Sequence, residues 1–481
     1  MKYSVRKFLL TVFLTVLYSA NHAQTPAQPT LIELQNQIAE LETKLKAIGV
    51  ELAKLKEAKS TALNNVGDGK VKVDESVVTT STARKDGEPQ KKKDLGVDIG
   101  SARLTPYGTI FFNAFGNSGG TNNADVPIFA TPSGSGNTSA SVRQTRLGLK
   151  LQGAKVGTAR IGAVIEGDFF GGFPSVGIGE NFGVFRVRLA YVRLDWERTS
   201  VTVGQDWMVF APVNPTSMAT AGNPQMAAAG NNWARLPQVR LERKFGDHIS
   251  WQGALLAPQT GDFSTNAAFS VQPTSGASSR LPFIQSRIVF AIQNWFGAKK
   301  AGSIGVSGHY GRSRVFTGPT NVRNDIESVG TAMDWNIPLN ERITASGEAF
   351  LGRNLGGFQA AIFQSYNNDF AYRIGSSLVP SGVRSIGTRG GWLQVGFTPP
   401  TLQDRLTLYG SVGIDDPDDR DLVSFSSRDW RTRNFVVASN LNFKFTPQFS
   451  LGAEFRRLRT YYLLSGRQTS NHVNLGASYS F

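Results

Sequence analysis

The last ten residues, HVNLGASYSF at positions 472–481, alternate between two kinds of side chain at every step. Apolar or aromatic groups occupy the odd positions from Val473 to Phe481, and small or polar groups occupy the even positions. A strand with this period has one apolar and one polar face. The same alternation recurs in residues 146–152 and 449–456. Over many strands, only a closed barrel with lipid outside and water inside favours this pattern.

Segments of this kind recur to the C-terminus, so we predict an all-β fold, a transmembrane antiparallel up-and-down β-barrel of about 16 strands over residues 101–481. The predicted strands are 104–115, 142–152, 158–169, 185–196, 199–207, 236–246, 248–257, 282–295, 302–314, 325–337, 341–353, 389–398, 404–415, 431–445, 447–460 and 469–481. Connections after even-numbered strands are short, and most of the others are long. In outer-membrane barrels the short turns lie in the periplasm. The start of the first strand and the end of the last strand are therefore both expected on the periplasmic side.

The fourth predicted strand breaks the alternation. Arg186 and Arg188 share a face with Val192 and Leu194 if the strand is regular. One extra residue in a strand shifts the faces of all residues beyond it. We therefore predict a β-bulge near Ala190.

The N-terminus has the pattern of a secretory signal peptide. Lys2, Arg6 and Lys7 precede a short apolar run, and small residues follow up to Ala23. We predict cleavage after Ala23, which makes residues 1–23 the signal. After residue 20 no apolar run is long enough for a membrane helix, and cysteine is absent.

Residues 24–60 are predicted to form a periplasmic α-helical coiled coil. Thr30 and Glu33 make a capping box at its start. Apolar residues then follow at alternating spacings of three and four, namely Leu31, Leu34, Ile38, Leu41, Leu45, Ile48, Leu52 and Leu55. Such a heptad seam favours self-association over packing elsewhere on the protein. Residues 61–100 lack periodicity and are predicted to be a flexible linker.

The connection 208–235 is predicted to be a constriction loop. It contains 27 residues without a charged group, from Met208 to Ala234. A loop in bulk water seldom lacks charge so completely. Folding into the barrel is therefore favoured over a clasp on a neighbouring subunit or an ordinary outer loop.

The barrel carries the excess positive charge of the chain. The net charge is +15, and residues 101–481 hold 30 Arg and 6 Lys against 24 acidic groups. Alternation predicts lumen-facing cations that would bind anions: Arg146, Lys150, Arg160, Arg186, Arg188, Arg240, Arg287 and Arg456. The predicted balancing acids at the constriction are Glu166, Asp168, Asp206 and Glu242. Arg favours bidentate binding of carboxylate or phosphate, but the same groups could instead pair with each other and stiffen the wall.

Several motifs resemble the DcaP-like porin family and, more distantly, the phosphate-selective porins. They are the heptad segment, Arg143-Gln-Thr-Arg-Leu-Gly-Leu149, Ile165-Glu-Gly-Asp-Phe-Phe-Gly-Gly172, Arg188-Leu-Ala-Tyr-Val192, Gly204-Gln-Asp-Trp207 and Leu236-Pro-Gln-Val-Arg240. The resemblance covers most of residues 30–250 and the last strand. It implies a homotrimeric porin of the bacterial outer membrane, in contact with lipid and lipopolysaccharide, that takes up small anionic or dicarboxylic solutes. The end at Phe481 resembles the signal read by the barrel-assembly machinery.

Other functions remain open at this point. A phosphate-selective porin is the nearest alternative. A barrel hydrolase would need an acid–base group such as His309, His472 or the Glu166 and Asp168 pair, and an envelope tether would use the barrel only as an anchor. We predict no enzymatic activity, no cofactor, no metal site and no nucleic-acid partner.

The heptad seam makes a prediction about assembly. The seam itself does not fix the number of helices, and the resemblance implies three, whose helices would share an axis beneath three adjacent barrels. The mature chain should therefore form a trimer, and deletion of residues 24–60 should weaken this trimer without abolishing it. Mass measurement of the detergent-solubilised protein, with and without these residues, tests this. A monomer in either sample would contradict the prediction.

Overall fold

The computed structural model describes residues 96–172, 183–218, 222–260, 273–293, 300–317 and 320–481. Its strands are β1 Val97–Ile99, β2 Ala102–Thr121, β3 Ala130–Ser141, β4 Arg146–Val156, β5 Ala159–Asp168, β6 Arg186–Asp195, β7 Thr199–Trp207, β8 Arg235–Phe245, β9 Ile249–Leu256, β10 Phe283–Ile292, β11 Gly302–Thr317, β12 Val322–Pro338, β13 Ile343–Arg353, β14 Tyr366–Ile374, β15 Ser377–Ser385, β16 Gly387–Phe397, β17 Leu406–Pro417, β18 Arg431–Lys444, β19 Phe449–Tyr462 and β20 Gly466–Ser480. Two short helical turns, α1 Ser275–Ser278 and α2 Ala360–Phe363, lie in connections, as do 3₁₀ turns at Gly356–Phe358, Leu402–Asp404 and Asp419–Asp421.

Eighteen of these strands form one antiparallel sheet, and β14 and β15 form a separate hairpin. Within the sheet, β3 pairs with the second half of β2 and β4 pairs with the first half. Together, β3 and β4 therefore occupy the place of one barrel strand. The three-residue β1 only pairs antiparallel with the first three residues of β2, Ala102 to Leu104, and is not a barrel strand. The barrel therefore has 16 strands, and the prediction of a closed antiparallel barrel is confirmed.

The barrel closes where the last strand pairs with the first. The register runs from Asn117 opposite His472 to Thr109 opposite Ser480. Backbone hydrogen bonds of 3.1 and 3.2 Å then join Phe481 to Gly108 in both directions. A side chain at Gly108 would meet the Phe481 ring at 2.8 Å, so glycine makes room for the terminal aromatic residue at this seam.

The two faces of the sheet differ as the alternation predicts. On β20 the outward side chains of Val473 and Leu475 are 49% and 56% exposed, whereas the inward side chains of His472 and Asn474 are buried. An apolar outer surface and a polar interior are the properties of a barrel that spans a bilayer.

The bulge in the fourth barrel strand is confirmed. Gly167 pairs with Val187, but Glu166 pairs with Leu189, so Arg188 is the extra residue of β6. Arg186 and Arg188 therefore both face inward, and the residues beyond the bulge regain the alternation.

Two differences from the sequence prediction concern the outer ends of strands. The first barrel strand extends to Thr121, and β3 adds residues 130–141 to the second. The connection 354–388 contains the hairpin of β14 and β15. The segment ATPSGSGNTSAS of β3 is rich in small polar residues and has no apolar alternation, so it gives no strand signal.

The predicted signal peptide and coiled coil lie outside the described residues, as does the linker up to residue 95. All eight residues of the heptad seam are in this part. Within the described residues, no helix has the length and apolar character to cross a membrane.

The outward face predicts a depth-dependent effect of charge. Leu393 and Phe397 both point outward on β16, at 41% and 38% exposure, but Leu393 is near mid-strand and Phe397 ends the strand. Leu393→Arg should destabilise the barrel by about 2–4 kcal/mol and Phe397→Arg by about 0–1 kcal/mol. Unfolding titrations in lipid vesicles measure both free energies. Equal costs would show that this face does not contact the hydrocarbon core.

Candidate functional site

The predicted lumen arginines of β6 lie in a compact ion-pair cluster with two acids of β5. Arg188 donates from Nε to Glu166 Oε1 and from Nη1 to Asp168 Oδ2, both at 2.8 Å. Arg186 binds Asp168 through two hydrogen bonds of 3.0 and 2.8 Å. Arg146 Nε lies 3.6 Å from Glu166 Oε2, and the Tyr107 hydroxyl donates to the same oxygen at 3.1 Å. The β6 bulge allows both arginines to reach this wall.

A second cluster occupies the inner wall of β6, β7 and β8. Arg240 Nη2 donates to Asp206 Oδ2 at 2.6 Å, and its Nε lies 2.9 Å from Glu242 Oε1. Glu242 Oε2 also accepts from Arg193 Nη2 at 2.9 Å. Arg193 in turn donates to Asp195 Oδ1 at 2.8 Å. Three of the predicted site residues therefore come together here, joined by two that the sequence analysis did not select.

Two further predicted arginines are buried with one acid each. Arg287 donates from Nε to Asp334 Oδ2 at 3.0 Å, across the intervening strand β11. Arg456 pairs with Glu454 and donates to the Pro127 carbonyl at 2.9 Å. Each of these pairs leaves no net charge on its part of the inner wall.

The remaining predicted cations are exposed to water inside the barrel. Lys150 and Arg160 are exposed on the inner face, and Lys244 is exposed on the same face of β8. Among the described residues, none of these three has a carboxylate within ion-pair distance. Arg160 and Lys244 line a cavity of about 470 Å³ at the end of the barrel formed by the short turns. Its charged lining consists of Arg160, Arg193, Arg198, Arg243, Lys244, Asp195, Glu197 and Glu242, which is five cations against three acids.

The described part of the connection 208–235 lies against inward-facing side chains of seven strands and of two further strand ends. Val209 N donates to Gln285 at 2.9 Å, Ala211 N donates to Ser307 at 3.1 Å, and Thr216 N donates to Gln394 at 2.8 Å. Further wall partners of this connection are Gln144, Glu348, Ser411, Asn434, Asn440 and Glu454. The Gly222 carbonyl accepts from Arg186 at 2.7 Å, which connects this segment to the β5 and β6 cluster. These partners are spread over most of the circumference.

An apolar cluster fixes the start of this segment. Phe210 is fully buried and packs near Phe358, which belongs to the connection after β13. His309 lies between them and Phe283, with ring centroids 4.8 to 6.0 Å apart. Its Nε2 bonds Ser328 at 2.9 Å, and the other ring nitrogen faces the Gln285 amide at 3.4 Å. His309 is therefore surrounded by aromatic rings and neutral polar groups.

Some charged residues of the lumen were missed by the sequence analysis. Arg143 forms a buried ion pair with Asp125 of the connection between β2 and β3. Arg193 and Asp195 lie beyond the bulge of β6, where uninterrupted alternation from Arg186 and Arg188 assigns the odd positions to the outer face. Within the described residues, no group of three His, Asp or Glu side chains could hold a metal ion.

The buried cluster predicts a large effect on stability. Arg188 is 4% exposed, and its removal leaves two buried carboxylates with fewer partners. Arg188→Met should destabilise the barrel by about 3 kcal/mol, near the lower end of the range for breaking a buried pair, because Arg186 still binds Asp168. Arg342→Met removes the exposed partner of Asp404, 3.1 Å away, and should cost less than about 1 kcal/mol. Unfolding titrations measure the free energy of unfolding of both variants. Equal losses for Arg188→Met and Arg342→Met would contradict the structural importance of the cluster.

Comparison with known proteins supports the fold. No protein-family model and no curated protein matches the sequence. The structure is similar to the outer membrane channel DcaP of Acinetobacter baumannii, with a TM-score of 0.60 and 18% identity over 80% of this chain and 99% of that chain. It is less similar to the anion-selective porin from Comamonas acidovorans, with a TM-score of 0.47 and 13% identity over 79% of this chain and 100% of that chain. OmpF of Salmonella typhi also has a TM-score of 0.47 and 13% identity, over 80% of this chain and 100% of that chain.

At these identities the likeness is one of fold. The resemblance to outer-membrane porins that the motifs indicate is confirmed for the fold, and the DcaP channel is one of the similar structures.

Proposed function

We propose that this chain is a porin of the bacterial outer membrane, a passive diffusion channel for small hydrophilic solutes with a preference for anions. The observation that carries the proposal is the presence of three exposed cations without an ion-pair partner on the inner wall of a closed barrel. Lys150, Arg160 and Lys244 face the lumen and lack a carboxylate partner among the described residues. Cations without counter-charges along the wall of a narrow channel raise the local concentration of anions.

The position of the connection 208–235 supports a route along this wall. Most of its contacts are with the inner faces of β10, β11, β13 and β16 to β19. On the other side, it is held at Gly222 by Gln144 and Arg186, at the outer ends of β4 and β6. We propose that this segment is the constriction loop and that solutes pass between it and the wall of β4 to β8. Arg146 and Arg186, with side chains 35% and 27% exposed, flank that passage.

Small carboxylates, including dicarboxylates, are the solutes we propose. Guanidinium groups bind carboxylate or phosphate through two parallel hydrogen bonds. Arg186, Arg188, Arg240, Arg287 and Arg456 are already held by acids of the wall, so in this proposal they shape the passage and limit its self-repulsion. The unpaired cations then provide the net attraction.

The remaining parts of the proposal concern location and assembly. Short turns at one barrel end and longer connections at the other give the orientation of an outer-membrane barrel, with the short turns in the periplasm. We propose that residues 24–60 form the periplasmic coiled coil of a homotrimer. The terminal Phe481 at the closing seam is the proposed contact with the barrel-assembly machinery. The barrel surface contacts outer-membrane lipid.

Ion selectivity tests the proposal. The wild-type protein in planar bilayers should show a reversal potential in a salt gradient that favours anions. The triple variant Lys150→Gln, Arg160→Gln and Lys244→Gln should shift this potential toward the non-selective value, because these residues face the water path. The control variant Lys300→Gln, Arg342→Gln and Arg405→Gln removes the same charge at the periplasmic turns and should have a smaller effect.

Three outcomes contradict parts of the proposal. Absence of conductance removes the channel function, and a cation-selective wild-type pore removes the anion preference. Equal shifts in the two triple variants would show that the lumen cations do not act on solutes. Stronger block of chloride current by phosphate than by dicarboxylates would favour the phosphate-selective alternative.

A further inference from the structure

A polar cavity of about 560 Å³ lies at the end of the barrel with the longer connections. Its lining comes from the outer ends of β9 and β18 and from the connection between β13 and β16. This volume is in the range of sites that bind small molecules. The described residues of the lining include Gln359, Phe363, Gln364, Asn368, Arg428 and Trp430.

A strained turn forms one side of the cavity. Positive φ angles of 49° to 71° occur at four non-glycine residues, namely Gln359, Ala361, Ile362 and Phe363. L-residues rarely adopt this conformation, and it persists only where the surroundings hold it. Here Ile362 N donates to Asp415 Oδ2 at 3.2 Å, and Arg431 Nε donates to the Ile362 carbonyl at 3.0 Å. The turn leaves the Phe363 ring 40% exposed at the cavity.

The same connection rests on the proposed constriction loop. Trp233 N donates to the Phe358 carbonyl at 3.2 Å, and the Phe358 ring packs near Phe210. Both Trp233 and Phe210 belong to the segment 208–235. A solute held in the cavity is therefore close to the segment that narrows the passage in the proposed function.

Arg428 is the only charged group among the described residues that line the cavity. Its guanidinium carbon lies 3.9 Å from the centroid of the Trp430 ring. In the described part of the chain, no carboxylate lies within ion-pair distance of Arg428, and the adjacent Asp429 accepts hydrogen bonds from Leu464 and Ser465 instead. Stacking on the indole occupies one face of the guanidinium and leaves the donors at its edge available to an anion.

Two carboxamides at the cavity also lack partners. The Oε1 atom of Gln359 is buried without a hydrogen-bond partner, and the exposed Asn368 side chain makes no hydrogen bond to any described residue. The Gln364 amide differs, because it bonds the Arg431 backbone at 2.8 and 2.9 Å and so holds the turn. A carboxamide both donates and accepts, so the two unpartnered amides suit hydroxyl groups.

We propose that this cavity binds a carboxylate that carries several hydroxyl groups, such as a sugar acid, before the solute enters the passage. Arg428 binds the carboxylate, and Gln359 and Asn368 bind hydroxyl groups. The Phe363 ring packs against the C–H face of the ligand. A dicarboxylate fits less well, because its second carboxylate would meet no second cation in the described lining. This inference names a substrate class for the proposed channel and rests on that function.

The test compares three ring compounds of similar size on the full-length protein in detergent. Galacturonate has a carboxylate and hydroxyl groups, galactose lacks the carboxylate, and cyclohexanecarboxylate lacks the hydroxyl groups. Saturation-transfer NMR titrations give the dissociation constant of each compound. Galacturonate should bind several-fold more tightly than either of the others, because only this compound provides partners for both the guanidinium and the carboxamides.

Three variants and a control locate the binding. Arg428→Gln should weaken the binding of both acids several-fold and leave that of galactose unchanged. Gln359→Leu and Asn368→Ala should each weaken galacturonate binding but not cyclohexanecarboxylate binding, which a general loss of structure would not do. The control Arg373→Gln removes an exposed arginine of β14 outside the described lining and should bind all three compounds like the wild type. Heat-modified migration on gels confirms that each variant folds.

Two outcomes would overturn the inference. One is equal affinity of the wild type for galacturonate and cyclohexanecarboxylate, and the other is equal affinity of the Arg428→Gln and Arg373→Gln variants for galacturonate. Conductance separates this inference from the proposed function. A wild-type protein that binds galacturonate through Arg428 but conducts no ions would remove the channel function and leave the site. An anion-selective pore without a preference among the three compounds would remove only the site.

Discussion

Every backbone N–H and C=O group in the hydrocarbon core must find a partner within the protein, and the other features of this structure depend on that requirement. The pairing of β20 with β2 meets it by removing the two open edges of the sheet. Once the sheet is closed, each strand has one face toward lipid and one toward the lumen. The alternation in residues 472–481 is the direct consequence of this closure, because successive side chains of β20 face lipid and lumen water in turn.

The lumen places a second demand on the sequence. Many inward side chains are buried, so a charge there is costly unless an acid or a base lies beside it. This explains why Arg188 has Glu166 and Asp168 within 2.8 Å, and why Arg287 has Asp334. It also explains the absence of charge from Met208 to Ala234. A charged side chain in that segment would need its own counter-charge on a wall where most of the side chains that bind the segment are neutral Gln, Ser and Asn.

The strands could be predicted from the sequence because their signal is local, whereas much of the site depends on register. The bulge in β6 was predictable from the broken alternation, and it separates the face of Arg186 and Arg188 from that of Val192 and Leu194. The pair of Arg287 and Asp334 was not predictable, because it crosses β11 between strands that are not direct neighbours. Gly305 lies between the two groups, and a Cβ there would meet Arg287 at 2.7 Å and Asp334 at 2.8 Å. A glycine that opens a path between two charges has no signature in a single sequence.

Cationic side chains therefore have different roles, and strand pairing helps to decide which role each of them takes. Asp168 is the cross-strand neighbour of Arg186, so that cation is neutralised within the wall. Lys150 lies between Thr105 and Val164, so it has no counter-charge at the paired positions of the adjacent strands. In the proposed function, its counter-ion comes from the lumen water. Because one register fixes all of these neighbours together, the paired and the unpaired cations of the inner wall follow from the pairing that closes the barrel.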